Sequence, residues 1–146
     1  MKKLAVILAL VLAVVAAPVG ATSKEAIGPG ISPLTGHPTT FTAASPFHVG
    51  ACWRLSSDTQ AIGHYSIALS VDGTLVQPSF TEFGSTDADP DVVRRCYVWN
   101  FPSGLSAGTH TFVETWYVPC YATSQTCSNP NEVVVYATYT LAVTFT

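Results

Sequence analysis

Three aspartates, Asp87, Asp89 and Asp91, alternate along the segment Ser-Thr-Asp-Ala-Asp-Pro-Asp. This spacing is the one that the first ligands of a calcium-binding loop would have. The rest of such a loop is missing, because Val92 stands where the loop requires glycine and Val98 where it requires a bidentate glutamate. The sequence therefore favours a solvated acidic turn, with an irregular calcium site as the alternative.

The histidines show no spacing that indicates a metal site or a catalytic site. The zinc-binding pattern His-Glu-x-x-His is absent, and Met1 is the only methionine, which disfavours a type 1 copper site. No Gly-x-Ser-x-Gly elbow and no glycine-rich phosphate loop occurs either. We therefore predict that the protein is not an enzyme and has no cofactor. The histidines concerned are His37, His48, His64 and His110.

The four cysteines predict two disulfide bonds, because an even number of cysteines in an exported chain is typical of a disulfide framework. Three pairings are possible. Cys120 and Cys127 bracket a short polar loop that a local bond would close, which leaves Cys52 to pair with Cys96. No two cysteines have the spacing of a zinc knuckle, so we predict no zinc site.

Tyr97, Trp99 and Phe101 alternate in one strand and share one face of it. If that face were exposed, the rings would offer a stacking surface for a sugar or a partner protein. The alternative, which we favour, is that they fill the core of a small domain, because aromatic side chains dominate core energetics.

The amino terminus predicts export. Lys2 and Lys3 precede an apolar run from Leu4 to Ala17, and a small-residue cleavage site ends at Ala21. About 14 apolar residues give roughly 21 Å of helix, which is short of a ~30 Å hydrocarbon core and disfavours a membrane anchor. We expect a signal peptide over 1–21, a secreted mature chain and no membrane contact after cleavage.

The mature chain has four basic and nine acidic residues, a net charge of about −5. An acidic chain without a basic patch is a poor ligand for nucleic acid, so no nucleic-acid partner is expected. The glycines and prolines of residues 22–37 predict a flexible leader. One domain is expected over 38–146.

The mature chain alternates between apolar and polar residues in a way that predicts strands and no helix. The clearest is the strand that ends at Val71, followed by the two-residue turn Asp72-Gly73, which predicts a β-hairpin. In the last strand, Val133, Val135 and Ala137 are expected to share one face. The fold class predicted is all-β, a two-sheet sandwich of about seven strands. The strands are expected near 38–44, 48–56, 63–71, 74–81, 92–101, 109–118 and 132–145.

The segment from Leu105 to Val118 resembles bacterial and archaeal extracellular immunoglobulin-like domains, in which a leucine, then Gly-Thr, then alternating aromatic and threonine positions lead into the penultimate strand. His110 stands at the position of the tyrosine-corner residue, and Phe112 at that of the second cysteine of the inter-sheet disulfide. The resemblance implies an immunoglobulin-like sandwich with a non-catalytic role in adhesion, binding or assembly.

Two hypotheses for function follow. A binding module would use exposed aromatic residues or the loops around 82–91 and 119–131 to contact a protein or a glycan. A structural subunit, which would be a homo-oligomer, would lend residues 22–37 as an extra strand to a neighbouring copy. The prolines of that segment argue against the second hypothesis, because proline cannot donate to a strand ladder.

Overall fold

The computed structural model describes residues 25–34, 40–56, 64–86, 89–123, 125–129 and 132–146. These residues form nine strands and one 3₁₀ turn, Cys120–Ala122, and no α-helix. The prediction of an all-β chain is confirmed, with nine strands instead of about seven. The strands are β1 (Gly30–Ile31), β2 (Thr40–Phe41), β3 (Phe47–Ser56), β4 (Ser66–Val71), β5 (Thr74–Val76), β6 (Phe80–Thr86), β7 (Asp89–Phe101), β8 (Gly108–Pro119) and β9 (Val133–Phe145).

The strands form two sheets that pack face to face as a sandwich. The first has the order β1-β3-β7-β6 and the second β2-β9-β8-β4-β5. Both are mixed, because β1 runs parallel to β3 and β2 parallel to β9, while the other pairs are antiparallel. The single strand predicted over 74–81 is two strands, β5 and β6, in different sheets. Pro78 lies between them, where the chain leaves one sheet for the other and no ladder donor is needed.

Residues 25–34, which fall within the predicted leader, lie along the first sheet. Gly30 and Ile31 pair with His48 and Val49, and Ile31 is only 2% exposed in the core. Gly28 has a φ of +59°, and a Cβ there would approach the Pro46 carbonyl oxygen too closely, so only glycine fits. These contacts place the start of the sandwich before residue 38. The predicted signal peptide, residues 1–21, lies outside the described residues.

The predicted hairpin at Asp72-Gly73 is confirmed. Asp72 and Gly73 have φ values of 50° and 79°, the left-handed conformation that a type I′ turn requires, and join β4 to β5. The Asp72 carboxylate accepts a hydrogen bond from the Thr111 amide at 2.8 Å and lies 2.6 Å from His110 Nδ1. This side chain therefore fastens the turn to β8.

Both ring nitrogens of His110 face acceptor atoms, an arrangement that favours the doubly protonated form. Its Nε2 lies 3.0 Å from the Ser106 carbonyl oxygen, which can only accept, and its Nδ1 donates to the Asp72 carboxylate. The hydrogen bond to Asp72 is the main cause that raises the pKa of His110. The hydrogen bonds from Thr111 and His110 lower the pKa of Asp72. In its protonated form, His110 thus stabilises the corner where β7 leads into β8.

The core between the sheets is aromatic, and it includes Tyr97 and Trp99, which are both buried. Trp99 Nε1 donates to the Val76 carbonyl oxygen at 3.1 Å. Phe101 is half-buried and stacks on Phe47 at a centroid distance of 4.5 Å. The hypothesis that Tyr97, Trp99 and Phe101 form an exposed stacking surface is therefore wrong, and the core alternative is confirmed.

Two disulfide bonds are formed, with the pairing that the short loop favoured. Cys52 and Cys96 are register partners on β3 and β7, so their bond joins neighbouring strands of one sheet. Cys120 and Cys127 close the connection between β8 and β9. Disulfide bonds are typical of proteins that fold in an oxidising, extracellular environment.

Candidate binding surface

The strand ends that flank three connections lie at one end of the sandwich: the β3–β4 connection, the β6–β7 connection and the β8–β9 connection. The two loops that the sequence proposed for binding are therefore at the same end. The first of them is shorter than predicted, because the pairing of β6 with β7 continues to Thr86 and Asp89. The β8–β9 connection is longer and is closed by a disulfide.

Four apolar side chains at this end are exposed, and we call them the apolar rim. They are more than half of the large exposed hydrophobic side chains in the described part of the chain, and they fall within 16 residues of sequence. Val133 and Val135 lie on the outer face of β9, whereas Tyr136 contacts Trp53 beside the core. Exposed apolar side chains concentrated in this way favour an interaction site. The rim consists of Tyr121 (50% exposed), Val133 (52%), Val135 (50%) and Tyr136 (61%).

A β-bulge directs Tyr136 to this position. Trp116 pairs with Ala137 and the next residue, Tyr117, pairs with Val135, so Tyr136 is an extra residue in β9. The bulge shifts the alternation, so that Val134 and not Val135 lies opposite the buried Val118. The prediction that Val133, Val135 and Ala137 share one face is therefore wrong. Bulges commonly re-aim a side chain at sheet edges and functional sites.

The Tyr136 ring rests on a fixed aromatic cluster. It lies 5.7 Å from the Trp53 ring, which in turn contacts Trp116 at 4.7 Å and Tyr65 at 5.0 Å. Trp53 is held in place, because its Nε1 donates to the Ser66 carbonyl oxygen at 3.1 Å. An exposed ring supported in this way loses little conformational entropy on binding, which favours a partner contact.

The rim borders a free strand edge. β9 pairs with β8 along its whole length, and within the described chain its other edge pairs only with β2, through Thr144 and Phe145. Residues 133–146 contain no charged side chain. Proteins usually blunt a long exposed edge with charges or proline, so an edge that lacks both is suited to pair with another strand.

Glu114 is a buried carboxyl group that sequence reasoning missed. Glu114 is 0% exposed and lies on β8 between the core residues Phe112 and Trp116. Every second residue of this strand segment is buried, and this alternation was the signal that could have identified Glu114 as buried. Its Oε2 accepts a hydrogen bond from Trp116 Nε1 at 3.3 Å, and Oε1 has no partner among the described atoms. Burial raises the pKa of Glu114 to about 7. Among the described residues only Trp116 bonds to this carboxyl group, so its protonation state affects stability.

The side chains of the three candidate calcium ligands are not among those that the structure describes. Asp87 lies outside the described residues, as do the side chains of Asp89 and Asp91, so the calcium site stays a prediction. Across the described ranges, no group of three or more histidine, cysteine, aspartate or glutamate side chains is arranged to hold a metal ion. His48 contacts the Ile27 carbonyl oxygen at 3.0 Å, and His64 is exposed. His37 lies outside the described residues.

No helix in the described ranges is both long and apolar enough to cross a membrane. Comparison with protein-family models, with curated proteins and with solved structures finds no significant match to this chain. The proposals below therefore rest on the residues and on their arrangement.

Proposed function

We propose that the chain is an exported, immunoglobulin-like binding module that contacts a polypeptide partner through the apolar rim. The observation that carries this proposal is the rim itself: two tyrosines and two valines, half or more exposed, beside an uncharged strand edge. Export is supported by the pattern of residues 1–21 and by the two disulfide bonds.

The strand order supports the immunoglobulin-like assignment. The order β1-β3-β7-β6 corresponds to strands A-B-E-D, and β9-β8-β4-β5 corresponds to strands G-F-C-C′, with β2 added at the edge. The bond from His110 to the Ser106 carbonyl oxygen takes the place of the tyrosine corner at the start of strand F. The chain departs from antibody domains in two ways: β1 runs parallel to β3, and the first disulfide joins strands B and E of one sheet.

The chemistry of the rim favours a polypeptide partner over a glycan. A free strand edge offers main-chain N–H and C=O groups, and another polypeptide strand satisfies them in register. Val133 and Val135 are branched aliphatic side chains that suit apolar protein side chains, and only the two tyrosines of the rim have flat rings that could stack on a sugar. The rim is therefore suited to strand addition with an apolar anchor at Tyr136.

Mature protein is expected to bind the surface of the cells that secrete it, and Tyr136→Ser is expected to weaken that binding at least tenfold. The loss follows because a central aromatic anchor commonly contributes about 2 kcal/mol or more to an interface. Binding isotherms of labelled protein on intact cells measure it. Protease treatment of the cells should abolish binding, and glycosidase treatment should leave it intact.

Leu75→Ser is the matched control, because Leu75 is 63% exposed on β5, away from the rim. Equal binding by the wild-type protein and Tyr136→Ser, or binding that survives protease treatment, would contradict the proposal.

A second candidate function is assembly of copies of this chain along the β9 edge. Its uncharged edge favours this role, because two copies could pair antiparallel without charge repulsion. The version in which residues 22–37 are lent to a neighbour is disfavoured, because Gly30 and Ile31 already pair with β3 of their own chain. Sedimentation velocity separates the two functions: a concentration-dependent dimer that Val135→Lys abolishes supports assembly, and a monomer at all concentrations removes it.

A further inference from the structure

The Cys52–Cys96 bond lies on the outer face of the first sheet, away from the core. Ala51 and Tyr97, which are neighbours of the two cysteines in sequence, are buried between the sheets, so the alternation of each strand turns the cysteines outward. Cys52 is exposed, whereas Cys96 is only 6% exposed. A reagent that approaches the bond from solution therefore meets Cys52 first.

The two cysteines differ in what lies beside them within the sheet. On the far side of Cys96 is β6, whose Glu82 is the register partner of Cys96. On the far side of Cys52, β1 pairs only with His48 and Val49, so no strand of the described chain lies beside Cys52. Because a thiolate displaces a sulfur in line with the bond that breaks, the open flank favours attack on Cys52, and the Glu82 carboxylate opposes attack on Cys96.

Two arginines lie on the same face of the sheet as this bond. Arg54 and Arg94 are register partners at the next outward-facing pair, about 7 Å along the strands from the cysteine pair. Together with Glu82 they give this part of the face one net positive charge, although the mature chain has four basic residues against nine acidic ones. Positive charge stabilises both an arriving thiolate and a departing one, so it accelerates thiol–disulfide exchange.

The Cys120–Cys127 bond differs in both respects. Cys120 is 2% exposed, and Cys127 is partly buried. The sequence has no lysine or arginine after Arg95, so no basic residue lies near this bond along the chain. The second bond is therefore an internal reference for the reactivity of the first.

We propose that the Cys52–Cys96 bond is a thiol–disulfide exchange site, at which the thiolate of another molecule attacks Cys52 Sγ. A sulfur–sulfur bond forms between Cys52 and the external thiol, while the Cys52–Cys96 bond breaks and its electron pair goes to Cys96 Sγ. A second external thiolate then attacks the external sulfur of this mixed disulfide and releases the Cys52 thiolate. The external thiols are oxidised to a disulfide, and the two protons that they lose end on Cys52 and Cys96.

The strand pairing is independent of the bond. β3 pairs with β7 over its whole length, Phe47–Ser56, and the core side chains of both strands lie on the opposite face of the sheet. Exchange is therefore expected to be reversible and to lower stability without unfolding the sandwich. The inference shares with the proposed function only the export of the chain, and it uses no residue of the apolar rim.

The test is a reaction of the oxidised mature protein with reduced glutathione, from which timed samples are alkylated with excess N-ethylmaleimide and mapped by peptide mass spectrometry. Glutathione is expected on Cys52 and the maleimide on Cys96, and the Cys52–Cys96 bond is expected to open at least about threefold faster than the Cys120–Cys127 bond. Glutathione on Cys96, or equal or faster opening of the second bond, would overturn the proposal. Reduced thioredoxin in place of glutathione distinguishes a protein thiol from a small thiol as the faster reductant.

Charge variants separate the electrostatic contribution from exposure. Arg54→Gln and Arg94→Gln are each expected to slow opening of the Cys52–Cys96 bond about threefold at low ionic strength, and Glu82→Gln is expected to accelerate it about threefold, because a unit charge about 7 Å away in water has an effect of this size. Glu132→Gln is the matched control, since it removes an exposed carboxylate that precedes β9 of the second sheet. Dispersed amide spectra establish that each variant is folded. Unchanged rates in the two arginine variants, or an equal change in Glu132→Gln, would overturn the assignment.

Discussion

The free energy of unfolding is expected to fall by about 3 kcal/mol as the pH rises from 4.5 to 7, and Glu114→Gln is expected to remove that fall. Burial raises the pKa of Glu114 from 4.5 to about 7 in the folded protein. Between these values the folded state holds the proton and the unfolded state releases it. Stability is therefore full below pH 4.5 and is lost as the pH rises through the folded pKa.

Urea titrations monitored by tryptophan fluorescence at several pH values measure this effect, as the difference between wild type and variant at each pH. Glu82→Gln is the matched control, because Glu82 is an exposed carboxyl group of β6. His110 contributes in the same direction, since its pKa is raised from 6.5 and its stabilising charge disappears as the pH rises through the raised pKa, and this part should persist in Glu114→Gln. Parallel pH profiles for wild type and Glu114→Gln would show that the Glu114 carboxyl group is not desolvated.

Removal of the Cys52–Cys96 bond is expected to cost about 4 kcal/mol, and removal of the Cys120–Cys127 bond about 2 kcal/mol. The difference follows from the chain segments that the bonds close, since their sequence separations are 44 and 7 residues. A longer closed loop restricts the unfolded chain more.

The double variants Cys52→Ala/Cys96→Ala and Cys120→Ala/Cys127→Ala provide the comparison, each serving as the control for the other. Urea midpoints and slopes measured under identical non-reducing conditions give the two free energies. A larger loss for the Cys120–Cys127 pair would contradict the account, because it would mean that the short loop is required for the whole fold.

The sequence predicted those features of the fold that local chemistry determines. Asp72-Gly73 specifies its turn through the backbone conformation that glycine and aspartate tolerate, so the β4–β5 hairpin was correct. The short spacing between Cys120 and Cys127 was enough to favour the observed pairing. The burial of Trp99 followed from the general tendency of aromatic side chains to fill small cores.

Other features depend on contacts that periodicity does not contain. Ile31 is a single apolar residue among glycines and prolines, so nothing in its segment indicated β1. The bulge at Tyr136 occurs where five consecutive residues, 133–137, are apolar, so an extra residue leaves no mark on the alternation. Arg94 lies opposite Arg54 on one side and Gly84 on the other, which only the strand register brings together.

The central claim is that the chain is exported, loses its first segment and becomes oxidised before it binds anything. Peptide mapping of the unreduced protein, purified from outside the cells that produce it, tests this claim most directly. The account predicts a first peptide that begins at Thr22, with one linked peptide pair for Cys52 and Cys96 and another for Cys120 and Cys127. A protein that retains residues 1–21, or that carries four free thiols, would contradict it.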